Sequence, residues 1–165
     1  MMTDLIVQQF AAAYRHPEFF WTDTWSGCGM TAFDPMGAQH LLACDCSDAA
    51  LGAGVLDALA HSRSFTAQEV QGDGFFNFEE RAKIYTAWVD HLLRARGLKT
   101  RKALFTKLDH CAITASAGVI AISPKHHVKK EAWQEVPGVS DLTISADSSP
   151  EHVGATLRKA FTLCT

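Results

Sequence analysis

Cys111-Ala112-Ile113-Thr114-Ala115 and Val119-Ile120-Ala121-Ile122-Ser123 flank the tripeptide Ser116-Ala117-Gly118. Two short apolar and β-branched runs joined by a glycine-containing turn read as a β-hairpin. It is the clearest β signal in the chain, and it puts an antiparallel sheet in the core. Leu142-Thr143-Ile144-Ser145 is a further short alternating strand, and residues 127–135 add an extended segment. Upstream, Glu18-Phe19-Phe20-Trp21-Thr22-Asp23-Thr24-Trp25 is aromatic and β-branched and also reads as a strand. Ser26-Gly27-Cys28-Gly29 then reads as a turn, and Met30-Thr31-Ala32-Phe33 as its partner strand.

Helices surround this sheet. Residues 3–14 read as a helix, with Leu5, Ile6, Gln9, Phe10 and Ala13 on one face and Pro17 as the stop. Ser47 caps a second helix running to Ser62, with Leu51, Val55, Leu56 and Leu59 buried. The longest runs from Phe78 to Arg96. Acids open it (Glu79, Glu80), arginines close it (Arg94, Arg96), and Gly97 follows, the order the helix dipole prefers. Thr100 caps a short helix through Leu108. Ser148-Ser149-Pro150-Glu151 opens the last one, with Glu151 closing a capping box on Ser148. The expected fold class is α+β: a single domain over residues 1–165, with a small, mainly antiparallel sheet packed against several helices.

The chain has 165 residues, 47% hydrophobic and 20% charged, which suits one globular core and excludes a disordered chain. It shows no apolar run of membrane-spanning length and no signal-peptide pattern, so a cytoplasmic location is expected. Five cysteines at irregular spacing read as thiols, not as a disulfide framework. Net charge is −3, unevenly placed. Residues 1–80 hold two arginines against eleven acids, a net of −9, and residues 81–165 hold thirteen basic residues against seven acids, a net of +6. Such asymmetry fits either a charged partner or two halves that attract each other within one fold.

Candidate chemistry is sparse. Cys28 in Gly27-Cys28-Gly29 lacks a histidine at diagnostic spacing and reads as a turn thiol. Cys44-x-Cys46 with His40 falls short of the two spaced ligand pairs of a zinc site, and adjacent His126-His127 diverge on a strand. Gly52-Ala53-Gly54 lies inside a helix and marks close packing, not a dinucleotide fingerprint. No catalytic residue, metal or cofactor is therefore assigned, and the chain is not expected to be an enzyme. Arg94, Arg96, Lys99, Arg101, Lys102 and Lys107 form a basic cluster at helix ends, where such residues are expected. Nucleic-acid binding by this cluster is kept as the alternative function. The acidic half offers a sharper candidate. Asp45 and Asp48, with Glu69, Asp73, Glu79 and Glu80 around the 63–80 loop, have few basic neighbours in sequence. Exposed Phe75 and Phe76 would place aromatic anchors inside that charged rim and suit a basic protein partner. The bland alternative is an ordinary acidic surface with both phenylalanines in the core.

Longer strings carry a family resemblance. Trp88-Val89-Asp90-His91-Leu92-Leu93, Leu98-Lys99-Thr100-Arg101-Lys102-Ala103-Leu104-Phe105 and Ile120-Ala121-Ile122-Ser123-Pro124-Lys125-His126-His127 are the main ones. Ser145-Ala146-Asp147-Ser148-Ser149-Pro150-Glu151 and the helix opening Ser47-Asp48-Ala49-Ala50-Leu51-Gly52 complete the set. Over roughly residues 40–165 the chain resembles the CdiI immunity proteins of bacterial contact-dependent growth inhibition. That resemblance implies a cytoplasmic binding protein, with no catalysis of its own, whose partner is the C-terminal toxin domain of a cognate CdiA, often a nuclease. It supplies no interface residues. The expected toxin contacts, Asp45, Asp48, Glu69, Asp73, Phe75, Phe76, Glu79 and Glu80, rest on charge reasoning alone.

Overall fold

In the computed structural model, residues 7–66, 68–69 and 74–165 are described. One antiparallel sheet organises them. Its strands are β1 (Gln9–His16), β2 (Phe19–Cys28), β3 (Met30–Phe33), β4 (Gln39–Ala43), β5 (Asp109–Ser116), β6 (Val119–Lys129), β7 (Ala132–Glu135) and β8 (Leu142–Ser145). The path runs β3-β2-β1-β5-β6-β7. The long strands β2 and β6 each share their outer edge between two short ones. β3 pairs with the end of β2 and β4 with its start, while β8 pairs with the start of β6 and β7 with its end. The β5–β6 hairpin forms as the sequence predicts, with Ser116 opposite Val119. Ala117 and Gly118 between them both have positive φ, 51° and 78°, the backbone of a two-residue primed turn.

Helices cover both faces. α1 (Asp48–Ala60) and α4 (Pro150–Phe161) lie on one, packing Leu51, Val55, Leu59, Val153, Leu157 and Phe161 against Phe20, Ile113, Ile120 and Ile122. α2 (Phe78–Arg96) and α3 (Arg101–Phe105) lie on the other, packing Trp88, Val89, Leu92, Leu104 and Phe105 against Tyr14, Phe19 and Trp21. Ser47 and Thr100 cap where the sequence places them and Asn77 caps α2; each accepts a hydrogen bond from the third residue on. An Asn77→Ala variant is expected to lose about 1 kcal/mol, read by denaturant unfolding.

Three expectations are corrected. Residues 9–16 form a strand where a helix over 3–14 was expected; residues 1–6 lie outside the described ones. β1 is central and covered on both faces, so Ala11, Ala12 and Ala13 are all buried and no period-two pattern shows. The turn expected at residues 26–29 is shorter, because β2 continues through Cys28. Ser149, not Ser148, caps α4, accepting from the His152 N–H at 3.2 Å. The close-packing reading of Gly52 holds. A Cβ there would fall on the Pro150 carbonyl, and one at Gly154 on the Asp48 carbonyl, so α1 and α4 touch backbone to backbone.

Candidate functional site

The structure separates the acidic residues that the sequence groups. Asp45 and Asp48 sit at the entry to α1, and Asp48 accepts from Arg158 Nε of α4 at 2.6 Å. Arg158 also donates to the Cys46 carbonyl. Glu79 and Glu80 open α2, over the opposite face of the sheet, where both are exposed. Glu69 is exposed in the preceding segment, and Asp73 lies outside the described residues. The expectation of exposed Phe75 fails. Phe75 is 5% exposed, in tilted contact with the Phe65 ring at 5.1 Å and lying under the Arg81 guanidinium at 4.3 Å. Phe76 is half-buried against its edge. The aromatic that does reach solvent is Phe78, 86% exposed beside Glu79 and Glu80. Its place as the first residue of a capped helix is the signal for it, since the first turn makes few contacts.

Charge asymmetry is partly absorbed within the fold. Asp48 of the acidic half pairs with Arg158 of the basic half at 2.6 Å, whereas Arg15 and Asp109, at 2.7 Å, pair the minority charges and leave the asymmetry in place. The basic cluster is also broken up: Arg101 bonds Glu131 at 3.0 Å, and Arg96 lies over the Phe19 ring. Cys44 is exposed and Cys46 half-buried in the turn after β4. Neither sits on a strand, and among the described residues no three metal-ligating side chains converge.

Sequence reasoning missed an aromatic-walled concavity. A cavity of about 470 Å³ opens between α2, β3, the centre of the sheet and the start of β7. Its walls carry Tyr14, Trp25, Phe33, Tyr85, Trp88 and Trp133, together with Asp23, Arg81, His110 and Glu131. β2 builds the floor by simple alternation: Trp21, Asp23 and Trp25 point to one face, and the two indole N–H groups donate to the Asp23 carboxylate at 2.7 and 2.9 Å. Trp88 faces the same carboxylate from α2, but its N–H has no partner within hydrogen-bonding distance. Burial pushes the Asp23 carboxyl up to about 7, against the Trp21 and Trp25 indole donors and the nearby Trp88 N–H, which pull it down. His110 stacks on Tyr14 at 4.6 Å and leaves its Nδ1 unpartnered. Burial lowers its imidazole to about 3, so it stays neutral. At the rim, Tyr85 donates to Glu131 at 2.6 Å, and Arg81 donates to the Phe33 carbonyl at 2.6 Å.

A model of the CDI immunity proteins, the CdiI family, matches residues 9–164. This chain belongs to the CdiI family. It is 35% identical to the immunity protein CdiI-YPIII of Yersinia pseudotuberculosis, over 99% of each chain. Among solved structures it is similar to a Neisseria meningitidis protein of unknown function, with a TM-score of 0.92, 35% identity and complete coverage of both chains. It is also similar to a chain of the CdiA-CT/CdiI toxin and immunity complex from Y. pseudotuberculosis, with a TM-score of 0.86 and 32% identity, over 97% of this chain and 99% of that one. The CdiI family thus accounts for the whole of the described sheet and the helices on both its faces.

Proposed function

We propose that this CdiI-family chain is an immunity protein that binds the C-terminal toxin domain of its cognate CdiA and neutralises it by occlusion, without turnover of its own. The supporting observation is the continuous family match over residues 9–164, joined to full-length likeness to a chain from a toxin and immunity complex. The chain acts in the cytoplasm of the cell it protects, and no helix among the described residues is long and apolar enough to cross a membrane. The toxin is a nuclease, whose substrate-binding surface is basic. Glu79 and Glu80, exposed beside Phe78, and Glu69, exposed earlier in the chain, supply the complementary charge that speeds encounter. Asp48 is committed to Arg158 and contributes less.

Co-expression with the toxin domain encoded beside it is expected to yield a one-to-one complex that abolishes toxicity. By calorimetry, the complex should weaken as salt rises, because exposed charges are screened beyond about 8–10 Å at physiological ionic strength. A Glu79→Lys, Glu80→Lys double variant should lose about tenfold in affinity, mostly in the association rate. Absence of any complex counts against the whole reading. An intact complex with no salt response moves the interface away from these acids.

A further inference from the structure

Two buried carboxylates in this protein are treated differently. Asp34, fully buried, has its own cation: Arg63 grips it in bidentate fashion at 2.7 and 2.9 Å, with Ser26 and the Met36 N–H adding hydrogen bonds. Asp23, 1% exposed, receives two indole N–H groups and has no ion pair with any described residue. Buried charges in proteins are normally matched by an opposite charge. Asp23 differs from Asp34 in one further respect: it lines the open aromatic cavity.

We propose that this cavity is the anchor site for an arginine side chain of the toxin domain, with Asp23 as its counter-ion. The inference rests on the toxin-binding reading above and names the contact that reading lacks. The flat walls select a guanidinium. Trp25, Trp88 and Trp133 offer indole faces, and Tyr14, Phe33 and Tyr85 complete the enclosure. A guanidinium stacks on such faces and still donates in its own plane, which a compact, strongly hydrated ammonium does not. Its donors meet the Asp23 carboxylate, and the neutral His110 ring in the same wall opposes them with no charge. Glu131, already held by Tyr85 and Arg101, adds negative charge at the rim. Arg81 is the cation of the wall, and it is engaged by the Phe33 carbonyl and the Phe75 ring. Exposed Phe78, Glu79 and Glu80 lie one turn before Arg81 on α2, so the acidic surface continues beside the cavity. An enclosed aromatic anchor within a polar rim is the usual layout of an interface hot spot.

The groups facing Asp23 fix the sign of the pH response. Tyr14 on β1 stays protonated, His110 on β5 stays neutral, and from α2 Tyr85 stays protonated and Arg81 stays charged. Glu131 and Trp133 close the β7 side. Asp23 is therefore the group that titrates near neutrality, and a cation binds its ionised form. With the carboxyl near 7, affinity for a cation should rise about tenfold from pH 6 to pH 8.

The probe is N-acetyl-L-arginine amide, followed by tryptophan fluorescence. All four tryptophans report, since Trp25, Trp88 and Trp133 line the cavity and Trp21 bonds Asp23. Expected are saturable binding that strengthens about tenfold from pH 6 to pH 8, weaker binding of N-acetyl-L-lysine amide, and loss of the pH response in Asp23→Asn. Against the toxin domain, Trp133→Leu and Tyr85→Leu, each checked for an unchanged fold by circular dichroism, should weaken the complex at least about tenfold. Saturating arginine amide should compete with the toxin. Failure of the amide to bind overturns the proposal. So does wild-type toxin affinity in both wall variants, which leaves the immunity reading standing. A wild-type protein that forms no toxin complex sinks both, and the amide titration, which needs no toxin, still shows whether the cavity takes a guanidinium.

Discussion

Gly52→Ala should lower stability by about 3 kcal/mol, near the upper end of what overpacking costs, and lower the melting temperature by roughly 6–12 °C. The added methyl would overlap the Pro150 carbonyl and crowd the Gly154 nitrogen. Those are backbone atoms at the start of α4, so no side-chain rotation relieves the clash. Relief requires α1 and α4 to separate, which loosens Leu51, Val55, Val153 and Leu157 together. Gly154→Ala meets the Asp48 carbonyl at the same crossing and should cost a similar amount. The double variant should cost clearly less than the sum, because one displacement of the helices serves both methyls. Gly54→Ala is the control. Its Cβ would meet only side-chain atoms, the nearest being Thr22 Oγ1 at 3.0 Å, and alanine gains about 1 kcal/mol of helix propensity. Thermal melts of the four variants decide the point. A wild-type melt for Gly52→Ala would mean that the helices do not meet through these glycines.

That glycine contact was half legible in the sequence. Gly52-Ala53-Gly54 inside a helix signalled close packing, but nothing local named α4 as the partner, because the pair is about a hundred residues apart in sequence. The β5–β6 hairpin, α2 and its Gly97 cap were legible because turn chemistry, helical period and end charges agreed over short windows. β1 was not. An Ala-Ala-Ala core under helices on both faces carries helix propensity and no alternation, so tertiary burial overrides the local signal. The acidic candidates do not gather into one patch, for a related reason. Two members of the acidic half, Asp48 and Glu79, open helices on opposite faces of one sheet, and the Arg158 that neutralises Asp48 comes from the far end of the chain. The cavity was invisible for a third reason. Asp23 reads as an ordinary polar residue in an alternating strand until helix α2 closes over it. Its one sequence cue is the spacing Trp21-Thr22-Asp23-Thr24-Trp25, which sets two indoles and a carboxyl on one face of the strand.

Asp23 also gives the free protein a stability that should fall as pH rises. In the unfolded chain its carboxyl ionises near 3.8, and in the native cavity near 7. Between those values the native state holds a proton that the unfolded state has released, so each step up in pH favours unfolding. The shift corresponds to roughly 4 kcal/mol, spread between about pH 4 and pH 7 and level above it. Asp34 has the opposite sign: Arg63 holds its carboxyl below the ordinary value, so its contribution is present above about pH 4 and lost only in stronger acid. An Asp23→Asn variant isolates the first effect. The amide leaves one indole N–H without its acceptor, a fixed cost of about 1–3 kcal/mol at every pH. It removes the titration, however, so wild type should be the more stable protein near pH 4 and the variant should overtake it by pH 8. Urea unfolding of both proteins across that range measures the difference. Parallel curves would mean that Asp23 is ionised in the native protein throughout, already stabilised by the surrounding indoles. Converging and crossing curves would show a carboxyl that the fold keeps protonated until a cation arrives, with part of the affinity for that cation stored as native-state strain at neutral pH.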